Sequence, residues 1–414
     1  MTTSFKMEHY TPAQWTLIDM ANHFGLDKEV YSKRLAFGRE MLEAIKEEQD
    51  MSQWIKKADA PAMFTKAVCA VRDILMGVET GHVIELDACN SGPAILSTLM
   101  HCVTGMKNTG VIDTGVRPDG YNTILTNFDT EVEVGRKEVK TATVPYAYGS
   151  DFKPEQVFGA ELFAEFERAY EKTFPEAYFV RKVLINAWDP KALYHEFTAI
   201  DGLVAHLECK GLQKTKSTIF GYTYTYTHMV NRPLIPMKDK GTKSLVANVT
   251  HCADGFVVRE FDNRCNYNVR QVTGAVEMID NHLATGSTHE SEDFLRLQDL
   301  GIKHNFVSMA VIEVMEWDCL AGAEPEYLMK LRALFESVLE YPSFETFTIH
   351  DAFKFSPQHA ERARRHYNDI MAELYESPWL LNVIEDLTGD SYEWDEPTDP
   401  AITEAIRQNN YSIC

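Results

Sequence analysis

No two cysteines are spaced as C-x-x-C. The eight thiols are scattered between Cys69 and Cys414, which argues against a zinc ribbon or a dithiol redox motif. Isolated thiols in a chain of 414 residues read as reduced core positions of an intracellular protein. There is no run of about 18 apolar residues, so no helix is expected to cross a bilayer. The opening stretch MTTSFKMEHYTPAQW lacks the apolar segment of a secretory signal. Positive charge is scarce: 40 Lys+Arg stand against 62 Asp+Glu, a formal net charge of −22. Such a field keeps a protein soluble and repels phosphate at long range, which taken alone argues against a nucleic-acid binder. With 45% hydrophobic and 25% charged residues the chain is globular, not collagen-like or wholly disordered. At about 150 residues per domain its length predicts roughly two to three domains.

What is present is mainly helical periodicity. It runs through 11–57, from Pro61 to about Met76, from Ser91-Gly92-Pro93 to about Val103, and through 130–148, 155–200, 305–339, 357–388 and 400–408. The stretch 107–121 is rich in Gly, Asp and Thr and reads as loop. Short strands are expected at 82–88 (HVIELDA) and at Phe344–Ile349. Phe220–Thr227 alternates with period two, and Ala247–Cys252 and Phe256–Phe261 flank Ala253-Asp254-Gly255 as a hairpin would. The expected fold class is therefore α+β, mostly helical, with a small sheet.

Two of the strands end in an acid, Leu86-Asp87 and His350-Asp351. One such aspartate is commonly just a turn former. Two on adjacent strands can hold paired Mg²⁺ ions about 3.5–4 Å apart for in-line phosphoryl transfer. Magnesium takes oxygen ligands, and one or two carboxylates suffice when water and substrate phosphates supply the rest. A third feature lies between the acids. Arg136 and Lys140 are four residues apart on one helical face, and Tyr148 follows about two turns later. Such a strip can grip a triphosphate at one end and a ribose or base at the other. A solvated basic face would explain Arg136 and Lys140 alone, but not the Tyr148-Gly149-Ser150 ending.

Asp87-Ala-Cys-Asn-Ser91-Gly92-Pro, the run from Arg136 to Ser150, and Ile349-His350-Asp351-Ala-Phe353 resemble, in order, motifs A, B and C of the single-subunit DNA-dependent RNA polymerases of bacteriophages and mitochondria. Residues 15–28, Asp254-Gly255-Phe256 and His304-Asn305-Phe306-Val307 resemble intervening family segments, and 150–245 matches loosely. In size and layout the chain is similar to the large catalytic subunit of the split, heterodimeric RNA polymerase of Enquatrovirus-type phages. The resemblance implies a polymerase palm with a small antiparallel sheet plus large helical fingers, the thumb and N-terminal domain lying outside this chain. Segment 1–105 would hold the N-terminal helices and the first part of the palm with motif A. Segment 106–245 would be fingers with the motif B helix. Segment 246–414 would complete the palm with a hairpin, a promoter-reading loop within 262–300, motif C and a C-terminal tail.

The implied chemistry is template-directed nucleotidyl transfer from NTPs. Asp87, Asp351, Lys140 and Tyr148 would be catalytic. Arg136, Gly92, Gly149, His350 and Tyr121 would contact substrate or template. Two Mg²⁺ ions would be held by Asp87, Asp351 and the Ala88 carbonyl. Implied partners are a second polymerase subunit, a DNA template, the RNA product and a helper that binds single strands or melts promoters, with no membrane; the implied location is the cytoplasm of the infected bacterial host. A DNA polymerase of the same superfamily is the first alternative, but it would carry a bulky Glu where Gly92 stands. A non-catalytic polymerase-like subunit that only binds nucleic acid is the second, and the intact Asp87, Asp351, Lys140 and Tyr148 set weighs against it.

Three departures from the family stand out. Its upstream Gly-Arg motif has no counterpart, since Gly38-Arg39 lies too close to Asp87. Ser308-Met309-Ala310 follow Asn305-Phe306-Val307 where the family has His and Asp. Pro145, inside the motif B helix, is expected to kink it before Tyr148. Against the acidic total, basic clusters at 136/137/140, 210/214/216, 238/240/243 and 362/364/365 are expected in part to line a DNA–RNA channel.

Overall fold

Thr11 opens the first helix, Pro12–Ala21, with a capping box: its hydroxyl accepts from the Gln14 N–H while the Gln14 side chain accepts from the Thr11 N–H. Trp15, Ile18 and Met20 of that helix are buried against Tyr31–Lys46 and Pro61–Leu75, as the apolar spacing of 11–76 predicts. The computed structural model describes residues 5–189, 191–233, 244–395 and 397–414. Among these, helices dominate and the strands are few: β1 (Ile84–Asp87), β2 (Tyr194–Thr198), β3 (Val204–Glu208), β4 (Lys210–Ile219), β5 (Tyr222–Asn231), β6 (Phe347–Ile349) and β7 (Ala352–Phe355). The fold is α+β and mostly helical, with small antiparallel sheets. β1, β7 and β6 form one sheet in that order, while β2–β3 and β4–β5 are separate two-stranded ribbons. No described helix is long and apolar enough to cross a membrane.

The core falls into two clusters. The larger surrounds the β1–β7–β6 sheet and gathers side chains from Trp15 to Cys265 and from Phe344 to Cys414. The smaller is built from Val269–Thr285, Glu292–Lys303, the 3₁₀ turn Met309–Val314 and Pro325–Leu339. A buried ionic knot joins the two. The Arg264 guanidinium donates to Glu260 (2.8 Å) and, through both terminal nitrogens, to Glu373 (2.9 and 2.6 Å). Glu260 also accepts from the Ser308 hydroxyl (2.6 Å) and the Met309 N–H.

Several expectations need correction. The segment 247–261 is not a hairpin. It lies inside one helix, Ser244–Cys265, because Asp254-Gly255 sits among residues whose apolar members Val246, Val249, Ala253, Phe256 and Val257 recur at helical spacing and are buried. Residues 262–300 comprise the end of that helix, the helices Val269–Thr285 and Glu292–Lys303 up to residue 300, and their connections. The helical reading of 155–200 fails after Asn186, with β2 from Tyr194, and that of 305–339 holds from Pro325. The Arg136–Ala147 helix continues through Pro145 without a break; a proline in the last turn forfeits one hydrogen bond and little else. Arg362 and Arg364 are buried, Arg364 between Trp15 and Tyr31, so they are structural cations and do not line a channel. The cluster 238/240/243 lies outside the described residues.

One buried group positions the strand that matters most. Asp19 is buried with its carboxylate between His82 Nε2 (3.0 Å) and His23 Nε2 (3.3 Å), and it accepts from the Glu85 N–H in β1 (3.3 Å). Burial opposes its ionised form, but hydrogen bonds from the two histidines outweigh burial and hold the carboxyl below its usual range. A carboxyl depressed in the folded state stabilises the fold fully above its unfolded pKa, about 3.9, and this contribution is lost as pH falls toward the folded value. Asp19→Asn is therefore expected to cost about 1–3 kcal/mol in urea unfolding at pH 7. The gap to the parent should narrow as the acid limb is entered below about pH 4.

Candidate active site

The sheet brings Asp87 and Asp351 together. β1 and β7 run antiparallel with Asp87 opposite Ala352, and the ladder is extended by the Ala88 N–H donating to the Asp351 carbonyl (3.1 Å). Residues 264 positions apart in sequence are thus neighbours across one pair of strands. Asp351 follows His350 in the tight connection between β6 and β7, where His350 adopts a left-handed backbone (φ 55°). That conformation costs a residue with a Cβ about 1–2 kcal/mol, and it is held here by the flanking pairs Ile349–Ala352 and Asp87–Ala352. Asn90, also left-handed (φ 55°), redirects the chain after β1 into the buried helix Ser91–Leu99. On the far side of Asp87 its carbonyl accepts from the Cys414 N–H (3.0 Å).

Asp87 and Asp351 open onto a cleft of about 450 Å³. The helix Arg136–Ala147 forms another part of its wall and contributes Arg136 and Lys140. The Arg136 guanidinium donates to Asp119 (2.7 Å), and Asp119 in turn caps the helix Gly120–Thr126 by accepting from the Tyr121 and Asn122 N–H groups. Both cations lie over the Tyr121 ring, Arg136 at 5.4 Å and Lys140 at 5.8 Å from its centre. Tyr148, the cap residue ending this helix, stacks on His251 with ring centres 4.6 Å apart and planes 12° from parallel. Gly92 faces that pair: a methyl group at position 92 would stand 3.2 Å from Thr250 Cγ2 and 3.5 Å from the Tyr148 hydroxyl oxygen.

Among the expected site residues, Asp87, Ala88, Gly92, Tyr121, Arg136, Lys140, Tyr148, His350 and Asp351 all line this one cleft. Gly149 does not. It is buried behind the end of the helix (φ 91°), where its N–H donates to the Tyr146 carbonyl. A larger groove of about 940 Å³ lies elsewhere, between the helices that carry Tyr327 and Asp369, and holds none of these residues.

Two contributors are absent from the sequence expectation. His251 and Asp254 reach the cleft from the Ser244–Cys265 helix, three residues apart and so on one face. Ser91, at the start of the helix Ser91–Leu99, lines the same cleft beside them, and its hydroxyl acts to lower both Asp254 and Tyr148 against the other influences on them. Ser308-Met309-Ala310 do not line the cleft: the Ser308 hydroxyl and the Met309 N–H bond Glu260, and Phe306 packs on Phe256 in the core. The i, i+3 spacing of His251 and Asp254 was the available signal, hidden by reading Asp254-Gly255 as a turn.

Three carboxylates in one cleft shape its electrostatics. Withdrawal from bulk water, and then the neighbouring Asp351, push Asp87 up to about 7, with Arg117 acting weakly the other way. Burial, and then Asp351, raise Asp254 to about 6 against the lowering effect of Ser91. Burial and the same two acids, Asp254 and Asp351, raise Tyr148, and burial chiefly pushes Tyr121 up to about 12. Negative charge here is only partly compensated by protein cations, which is the condition a bound divalent cation relieves. The donors are oxygens, as Mg²⁺ requires. No cluster of three or more His, Cys, Asp or Glu side chains suited to hold a metal ion occurs among the described residues; Asp87 and Asp351 would suit an ion that takes one or two carboxylates and completes its shell with water and phosphate.

Compared with known proteins, the sequence matches no family model and no curated protein.

Proposed function

We propose that this chain is the catalytic subunit of a phage DNA-directed RNA polymerase, adding ribonucleotides to an RNA 3′ end and acting with a second polypeptide that supplies the remaining polymerase parts. The observation that carries the reading is the convergence of three distant segments, 87–92, 136–148 and 350–351, on one cleft with acids and cations in its walls. In this reading the β1–β7–β6 sheet is the palm, and the helices Arg136–Ala147, Phe152–Thr173 and Pro175–Asn186 belong to the fingers.

Asp87 and Asp351, with the Ala88 carbonyl, would hold Mg²⁺, which when bound supplies activation of the 3′-hydroxyl and charge neutralisation at the phosphates. Arg136 and Lys140 grip the triphosphate. Lys140 also has the proton that departing pyrophosphate needs. Tyr148 and Ser91 face the ribose, and Gly92 leaves space for its 2′-hydroxyl where a longer side chain would meet Tyr148 and Thr250. His251 braces the Tyr148 ring from one side.

Primer extension on single-stranded DNA tests the reading, with Mg²⁺, with ribonucleotides and then deoxyribonucleotides, and with and without co-expressed neighbouring gene products. Incorporation of ribonucleotides is expected. Incorporation of deoxyribonucleotides alone would select the DNA polymerase, and no incorporation under any condition would select the binding subunit. Tyr148→Phe removes one hydroxyl bond, worth about 0.5–1.5 kcal/mol. It should lower the ratio of ribo- to deoxyribonucleotide kcat/KM by about 3–10-fold while ribonucleotide addition itself persists.

A further inference from the structure

The tyrosine ladder of residues 220–229 takes no part in the cleft. β4 and β5 pair in register over ten residues each, about 33 Å of ribbon. The turn at the tip is Phe220-Gly221, both with positive φ (53° and 83°), and Phe220 is 96% exposed. The base of the ribbon is anchored. Cys209 is fully buried in the main core, its N–H donates to the Leu193 carbonyl, and its own carbonyl accepts from the Arg232 N–H. Beyond that base, Tyr222 to Met229 are all exposed.

The register sorts the ribbon into two unlike faces. Tyr222, Tyr224 and Tyr226 share one face, opposite Ile219, Ser217 and Thr215, and are 71%, 54% and 50% exposed. The other face carries Lys214 and Lys216 opposite Thr227 and Thr225. In a chain of net charge −22, the segment 210–231 contains three lysines and no acidic residue. A two-stranded ribbon is marginally stable by itself, and the three rings, at every second position of the strand, each leave at least half of their surface uncovered by this chain. Lys214 and Lys216 project from the face turned away from the rings, but a two-stranded ribbon is thin and open at its edges, so their charge lies within a Debye length of anything laid along the tyrosine face; a polyanion that offers π faces is complementary to both.

We propose that this ribbon is a binding site for single-stranded nucleic acid, whose unpaired bases stack on Tyr222, Tyr224 and Tyr226 while its phosphates run along the ribbon edge in the field of Lys214 and Lys216. Successive rings on one face repeat at about 6.7 Å, twice the 3.4 Å rise per nucleotide of a stacked strand, so one base fits between neighbouring rings. A duplex cannot use such a ladder without losing its own stacking, since each base already has both faces covered. The inference deepens the proposed function by naming the form in which nucleic acid is held, yet its evidence is the ribbon alone.

The test is fluorescence anisotropy with the full chain and labelled oligomers of about 15 nucleotides: oligo-dT, oligo-rU and a duplex. The dT and rU arms distinguish template from transcript as the source. Tyr224→Ala/Tyr226→Ala should weaken single-strand binding by roughly tenfold per ring and leave duplex binding unchanged. Tyr224→Phe/Tyr226→Phe should retain it. Lys214→Ala/Lys216→Ala should reduce the slope of log K against log salt by about 1.4. Unchanged single-strand affinity in the alanine variant, equal loss on duplex, or failure of the parent to bind either single strand overturns the proposal. Nucleotide addition on a pre-annealed primer, measured in parallel, reports on the polymerase reading separately: the alanine variant should keep it, and its loss in the parent would sink that reading while leaving the stacking result intact.

Discussion

Asp351→Asn is expected to abolish nucleotide addition, with a fall of at least about 10³-fold in kcat, and to leave the protein folded. The amide matches the carboxylate in shape, so the turn between β6 and β7 and the ladder bond from Ala88 to the residue 351 carbonyl survive. What is lost is one of two adjacent negative oxygen donors, and metal-assisted phosphoryl transfer depends on such donors for several kcal/mol, about 1.36 kcal/mol per tenfold. Stability should move the opposite way. Asp351 is the charge that, after burial, raises both Asp87 and Asp254. An acid whose folded pKa is raised holds a proton that the unfolded chain has released. The fold therefore loses stability as pH climbs from about 4 toward the value near 7 that Asp87 reaches. With Asn at 351 that decline should flatten, and the melting temperature at pH 7 should match or exceed the parent's. Added Mg²⁺ should raise the melting temperature of the parent and not of the variant. Activity unaffected by Asp351→Asn would end the catalytic reading and revive the non-catalytic one.

Much of this site was legible because it is built from short segments whose local chemistry declares itself. An alternating tetrad ending in an acid, as in Ile84-Glu85-Leu86-Asp87, reads as a strand with one buried face that presents a carboxylate at its end. Arg136 and Lys140 share a face through helical period alone. Pairing over 264 residues was legible only through the family resemblance, since no local rule brings β1 beside β7. What sequence reading missed failed for identifiable reasons. Asp254-Gly255 is a strong turn signal, yet tertiary burial of Val249, Ala253, Phe256 and Phe261 overrides it and keeps the backbone helical. That single error hid both His251 and Asp254. Arg362 and Arg364 illustrate the converse: a run of three basic residues looks like a phosphate patch until Arg364 is seen bonded to the carbonyls of Glu8 and Asn410 inside the core. Phe220–Thr227 was legible as β structure through its period of two, because Thr and Tyr alternate, but the turn at Phe220-Gly221, the partner strand Lys210–Ile219 and the register that sorts lysines from tyrosines were not.

Lys140 and Arg136 should part company when each is removed. The Arg136 guanidinium is bonded to Asp119, the cap of the Gly120–Thr126 helix, so part of its role is structural. Lys140 is exposed toward the cleft and has no carboxylate partner among the described residues; its neighbour is the face of Tyr121. Lys140→Ala is therefore expected to leave the melting temperature unchanged and to cut kcat for nucleotide addition by about 10²–10³-fold, the range for removing a positioned proton donor or charge stabiliser. Arg136→Ala should act mainly through the KM for NTP and should lower the melting temperature, because Asp119 is left without its cation. Lys140→Arg separates charge from proton donation. Guanidinium keeps the positive charge but does not release a proton near neutral pH, so KM should recover toward the parent while kcat stays low. Full recovery of kcat with arginine would show that charge alone is needed at this position, and no loss with alanine would remove Lys140 from the reaction.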